Sequence, residues 1–215
     1  MTGIVVAVSV SPVRTVEDRG ALIATGIFKT PVTGSVPLRG VNLDGDDQAD
    51  RDNHGGPIRA AYAYAEEDYA WWERTLDRTL QPGKFGENFT LRGIDVSGAL
   101  IGERWRLGTA VVQVTSPRVP CYKLALTMDD PKFVRTFARA LRPGAYLSIV
   151  EEGRVGSGDA AEVLSRPEHR LTVAEMANIY FFDRSRLNEM LVPQLPPNWH
   201  DWVLTELAGN VADAP

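Results

Sequence analysis

At 215 residues the chain is long enough for one sizeable core, or a main domain with a small appendage, and 44% hydrophobic with 24% charged residues excludes a disordered or fibrous chain. The net charge of −5, with Lys and Arg scattered along the chain, lacks the basic footprint of a nucleic-acid binder, so no nucleic-acid partner is expected. A single cysteine excludes an internal disulfide and a structural zinc cluster, while the lack of a basic leader and of any apolar run near the about 20 residues of a bilayer span gives an expected cytoplasmic location without membrane contact.

The first two thirds are rich in Gly, Pro, Val and Thr. Short runs, "IVVAVSV" from Ile4, "AAYAY" from Ala60, "ENFTL" from Glu87 and "TAVVQVT" from Thr109, are separated by turn residues and predict strands. Two helical stretches interrupt them. In "EEDYAWWERTLDRTL", Tyr69, Trp72, Leu76 and Leu80 recur at helical spacing, and in "PKFVRTFARAL" Phe133, Val134, Phe137, Ala138 and Leu141 do the same, as expected of helices covering a sheet or barrel.

Beyond Arg166 the texture turns helical. "LTVAEMANIYFF" opens with Thr172 three residues before Glu175, the capping-box spacing; "DRSRLNEML" and "NWHDWVLTELAG" continue the pattern, the last stopped by Gly209. The division expected is a mainly β domain over 1–165 and a three-helix segment over 166–215, joined through "SRPEHR". Trp199 and Trp202, three apart on one helix face, are expected to pack against the β domain; a substrate lid, an oligomer contact and a docking surface are the other uses open to this tail.

Three segments set polar side chains among glycines, where backbone can approach a ligand: "GDDQADRDNHGG" (45–56), "GKFGEN" (83–88) and "SPRVPCYK" (116–123). Pro117 and Pro120 stiffen the approach to Cys121, and Arg118 and Lys123 place positive charge beside it, which favours the thiolate that attacks electrophiles or binds metals. A buried, inert cysteine is the competing reading, and the residues alone leave both open. His54 could serve as a general base, a metal ligand or a donor to an anion, against a purely structural role. Asp46, Asp50 and Asp52 alternate as in a calcium loop, but no glycine fills the sixth position and no glutamate closes it, so most of these acids are expected in a solvated turn. Asn88 can donate and accept at once, which suits a heterocycle edge. Phosphate-loop, dinucleotide G-x-G-x-x-G and G-x-S-x-G signatures do not occur, so nucleoside triphosphate hydrolysis, a Rossmann site and serine hydrolase chemistry lose support.

Taken in order, "GIFKTPVTG", "GDDQADRDNHGG", "FGENFT" and "PRVPCYK" resemble the MOSC domain family, named for the C-terminal domain of molybdenum cofactor sulfurase. The helical tail resembles the three-helix extension of one bacterial subgroup, the one that includes N-hydroxylaminopurine resistance. The resemblance implies a β-barrel fold and a molybdenum cofactor, with Cys121 as the metal ligand beside the dithiolene sulfurs of the pterin. It implies that Lys29, Arg118 and Lys123 neutralise the cofactor phosphate or hold the pterin, that Asn88 lies in the same site, and that His54 delivers a proton or orients substrate. Two departures bear on substrate preference. Arg59 and Ala60 stand where the subgroup more often has an Asp-Lys pair, so Arg59 supplies the lysine's charge one position earlier, and "RPGAYLSIV" replaces a glycine-tryptophan stretch.

The activity implied is two-electron reduction of small N-hydroxylated compounds, hydroxylaminopurine-like bases or hydroxylamines. With no flavin or nicotinamide motif in the chain, electrons are expected from a separate flavoprotein reductase. The alternative is a molybdenum cofactor or sulfur carrier module that uses Cys121, and a third reading is a cysteine hydrolase or transferase in which His54 activates Cys121.

Overall fold

Short β runs separated by turns need partners distant in the chain, and here they find them by closing into a ring. The computed structural model describes residues 2–49 and 55–212, and seven of its strands form a barrel: β1 (Thr2–Val10), β2 (Ala61–Ala65), β3 (Phe89–Arg92), β4 (Arg104–Leu107), β5 (Ala110–Pro117), β6 (Ala145–Glu151) and β7 (Ala160–Ser165). Hydrogen bonding runs β7–β4–β5–β6–β2–β3–β1, and β1 returns to β7 through Thr2↔Glu162, Gly3↔Ala161 and Ile4↔Ala160. All neighbours are antiparallel except β2 and β3, which run parallel because the helix α1 (Glu66–Leu76) carries the chain back between them. Smaller antiparallel pieces flank the ring: a hairpin of Arg14–Asp18 with Ala21–Thr25, and a sheet of Ser35–Arg39 with Asn42–Leu43 and Gly153–Gly156.

Two cores hold these elements. The larger holds Phe89, Leu91, Trp105, Leu107, Val112, Val114 and Leu147 from the barrel. Trp105 is wholly buried and its indole N–H donates to Glu103 Oε1 at 2.9 Å, so the polar tip of the ring is satisfied. The second lies against Tyr62 and Tyr64 of β2, where α1, α2 (Tyr122–Met128) and α3 (Phe133–Ala140) bring Trp72, Leu124, Met128, Phe133 and Phe137 together. The helical reading of 66–80 holds as far as Leu76. Asp77 then adopts a left-handed conformation (φ 50°) that ends α1, and Leu80, expected on its face, is buried from the following loop.

After β7 the chain forms α4 (Val173–Phe181) and α5 (Pro197–Ala212). Thr172 caps α4 as its spacing predicts, its hydroxyl accepting from Glu175 N at 3.0 Å, while the Glu175 carboxylate turns to Arg186. Two expectations need correction. The middle helix of the tail is a 3₁₀ segment, Arg184–Met190, whose buried residues Leu187 and Met190 lie three apart, the period of that helix. Gly209 does not stop α5, which continues to Ala212; the glycine's helical cost of about 1 kcal/mol is small beside the packing of Trp199 and Val203. Val173, Met176, Ile179, Leu187, Met190 and Val203 join the barrel's own core, so the 165/166 boundary marks the last barrel strand while the two segments share one interior. Among the described residues no helix is long and apolar enough to cross a membrane.

Candidate active site

β5 leads to the cysteine. Its last pairs, Ser116↔Tyr146 and Pro117↔Ala145, fix the strand to β6, and after Pro120 the residue Cys121 is extended (φ −118°, ψ 172°) at the start of α2. Leu124 N donates to the Cys121 carbonyl at 2.9 Å, so the thiol is held between a proline-stiffened arm and a helix. Cys121 is half-buried and forms no disulfide.

Cys121 borders a cleft of about 80 Å³ whose lining includes Lys29, Gln48, Arg59, Tyr62, Asn88, Arg118, Lys123 and Tyr146. Cys121, Lys29, Arg59, Asn88, Arg118 and Lys123 are therefore all at this cleft, while His54, Asp50 and Asp52 lie outside the described residues. Tyr62, Tyr146 and Gln48 were not anticipated. Tyr62 and Tyr64 do alternate in "AAYAY", which places both rings on one face of β2, but only the packed structure tells which face borders a cleft.

Arg118 is 6% exposed, with its guanidinium 5.1 Å from the Tyr62 ring centroid and its Nε without a hydrogen-bond partner among the described residues. Burial opposes its charge, but Tyr146, Tyr62, Cys121 and Glu87 together raise its pKa above the usual arginine value, so the group stays cationic. A buried, charged donor with an unused N–H is what an anion-binding site presents before its anion arrives. Arg59, at the end of the 3₁₀ turn Pro57–Arg59, lies over the Tyr146 ring at 5.7 Å, and Lys123 Nζ donates to Ala24 O at 3.3 Å.

Lys29 reaches the cleft from below a buried pair. Its ammonium donates to Asp46 Oδ1, and the two side chains are 7% and 0% exposed. Burial, the largest influence, holds Lys29 below the usual lysine pKa, with Asp46 opposing it. Asp46 also accepts from Ser11 N at 2.9 Å and Asn88 Nδ2 at 3.0 Å. This aspartate is therefore a buried brace and an exception to the solvated turn expected for most acids of its segment. Asn88 differs from expectation too: its amide donates to Asp46 and to Ser9 O, and its carbonyl accepts from Tyr62 N at 3.1 Å, so its polar atoms are committed within the protein.

The loop before Asn88 is held by Glu87, a wholly buried carboxylate that no sequence feature singled out. It accepts from Tyr69 Oη (2.5 Å), Gly83 N (2.6 Å), Thr90 Oγ1 (2.9 Å) and Phe85 N (3.2 Å). Burial raises its pKa despite these four donors. Gly86 (φ 76°) needs its glycine: a Cβ there would lie 2.9 Å from Ile27 Cγ1 and 3.4 Å from Arg118 Nη1, so the loop can lie against the arginine only without a side chain.

No group of three or more His, Cys, Asp or Glu that could hold a metal exists among the described residues. The donor set instead fits a metal group that brings its own sulfur ligands: one thiolate for a soft centre, and cations for an attached phosphate.

Comparison with known proteins identifies the family of the fold. The chain is 39% identical to "Uncharacterized protein YflK" of Bacillus subtilis over 85% of its own length and 83% of that protein's. The crystal structure of YiiM from Geobacillus stearothermophilus superposes with a TM-score of 0.79 at 27% identity, covering 95% of this chain and 99% of that one. A protein named "Reductase" in Gibberella moniliformis is 28% identical over 74% of this chain, which corresponds to 29% of that longer protein. The MOSC domain pattern matches residues 50–162, a stretch that includes His54 and Cys121 and ends in β7, and with the closed barrel it establishes that the chain belongs to the MOSC domain family.

Proposed function

We propose that the protein is a molybdenum-cofactor-dependent reductase of small N-hydroxylated compounds, supplied with electrons by a separate flavoprotein reductase. The observation that carries this reading is the meeting of the chain's one thiol with Lys29, Arg59, Arg118 and Lys123 in a single cleft, one of those cations being buried, charged and unpartnered at Nε. Its support from kinship is that the MOSC family is associated with molybdenum cofactor binding, and that a relative bears the name reductase.

The reaction balances as R–NH–OH + 2e⁻ + 2H⁺ → R–NH₂ + H₂O. When bound, the cofactor supplies the two-electron couple. Cys121 would hold the metal through its thiolate, at an orientation fixed by Pro120 and α2. Arg118 and Lys123 would bind the cofactor's phosphate, and Arg118 can offer Nε without breaking an existing bond. Lys29 is tied to Asp46, whose carboxylate offsets its charge, so it braces the cleft wall. Arg59 and Tyr146 stand where a substrate would enter beside Cys121.

The test is turnover by protein made in a host that supplies the cofactor. Reduced methyl viologen should be oxidised when hydroxylamine is added to the wild type, at two electrons per molecule, and should not be with Cys121→Ala. Cofactor-loaded protein that reduces no N-hydroxylated compound with this donor would contradict the proposal.

A further inference from the structure

A second cleft, of about 370 Å³, lies between the barrel and the C-terminal helices. It shares Arg59, Cys121 and Tyr146 with the first, so the two cavities adjoin at these residues. Their chemistry differs. The first is lined by cations and committed polar groups; the second is walled by Pro117, Val119 and Pro120 on one side and by Tyr180, Trp199 and Trp202 on the other.

We infer that this second cleft is the subsite for the flat ring of an aromatic or heteroaromatic N-hydroxylated substrate, with its N–O group directed toward Cys121. The inference rests on the proposed function and adds the part of the substrate that the first cleft does not explain.

The aromatic wall is set before any ligand arrives. Trp199 and Trp202 pack edge to face with centroids 5.6 Å apart, Tyr180 contacts both at 5.3 and 5.1 Å, and Arg184, itself bonded to Glu206, lies 5.6 Å from the Trp202 centroid. Trp202 is thus fixed from the outside by a cation while it borders the cleft. Trp199 is 6% exposed and belongs to the main core, which holds the wall in place. The exposed amide of Asn198, which also lines the cleft and both donates and accepts, suits a ring nitrogen. The volume lies in the range of small-molecule sites, and aromatic faces with a few polar groups are their usual lining. On this reading the C-terminal helices supply ring recognition, and a substrate without a ring uses only the residues around Cys121.

The test compares two substrates and one inert probe. Cofactor-loaded wild type, Trp202→Ala and Trp202→Phe are assayed with 6-hydroxylaminopurine and with hydroxylamine, which has no ring. Loss of one stacking partner should lower the ratio of kcat/KM for the purine over hydroxylamine by roughly 5- to 150-fold in Trp202→Ala, mainly through KM, and Trp202→Phe should recover most of it. An unchanged ratio overturns the inference. Calorimetric titration of the same proteins with adenine gives a readout independent of turnover: binding by the wild type, weakened in Trp202→Ala and restored in Trp202→Phe, is expected. If neither N-hydroxylated compound is reduced, the proposed reaction fails and the adenine titration decides the subsite, with absent binding, or equal affinity in all three proteins, overturning it.

Discussion

The Lys29–Asp46 pair is the most consequential single interaction beneath the cleft, and replacing Asp46 by alanine tests whether it is a brace. The side chains are 7% and 0% exposed, and Asp46 also accepts from Ser11 N and Asn88 Nδ2. Removing the carboxylate leaves a buried ammonium with no counterion, takes the acceptor from Ser11 N and leaves the Asn88 amide only Ser9 O, and breaking such a pair typically costs about 3–5 kcal/mol. For a chain of this size that corresponds to a fall in Tm of roughly 6–20 °C. Urea unfolding of the wild type, Asp46→Ala, Lys29→Met and the double variant completes a double-mutant cycle. The double variant should be less destabilised than the sum of the singles, since removing the ammonium with its partner leaves no orphaned charge. Additive costs, or an Asp46→Ala loss below about 1 kcal/mol, would refute the reasoning. The pH dependence has a definite sign. Burial places the folded-state pKa of Lys29 below its ordinary 10.5, so the unfolded chain binds the proton over that interval and stability rises with pH there. This rise should be absent from Lys29→Met when the two proteins are compared at successive alkaline pH values.

Two further predictions concern residues around the cleft. Glu87 has its pKa raised by burial, so its contribution to stability is complete below the ordinary value near 4.5 and is lost as pH rises through the folded pKa. The destabilisation of Glu87→Gln relative to wild type should therefore shrink as urea melts are moved from pH 4.5 toward neutrality, and a gap that widens would show that the four donors outweigh burial. Arg118→Met should weaken retention of cofactor by roughly 10- to 150-fold, the loss of one charge-assisted hydrogen bond worth about 1.5–3 kcal/mol, as measured by pterin released after gel filtration. Equal retention would remove Arg118 from the anion site.

Local pattern and tertiary pairing divide what the sequence could reveal. Strand runs such as "TAVVQVT", the helix over "PKFVRTFARAL" and the Thr172 cap depend on neighbours a few residues away, and all three are present. Closure of β1 onto β7 and the parallel β2–β3 pair join residues far apart, where periodicity has no reach. Helix α2 was hidden because its N-cap is Cys121 itself, which makes no side-chain capping bond, and its seven residues follow a proline arm. The candidate site divides in the same way. Cys121, Arg59, Arg118, Lys29 and Lys123 could be found as polar groups near glycines or by family resemblance, and they line one cleft. Burial separates Asp46 and Glu87 from ordinary turn acids, and Asn88 from a ligand-facing amide, and burial is a property of the folded chain.

The central claim is that Cys121 holds a molybdenum cofactor. Wild type and Cys121→Ala, expressed side by side in a host that makes the cofactor, should be assayed for bound molybdenum by elemental analysis and for pterin by oxidation to its fluorescent product. The account predicts near-stoichiometric molybdenum and pterin in the wild type, with molybdenum lost from the variant while the fold is retained. Wild-type protein that carries neither, despite a competent supply, or a Cys121→Ala variant that keeps molybdenum as firmly as the wild type, would contradict it.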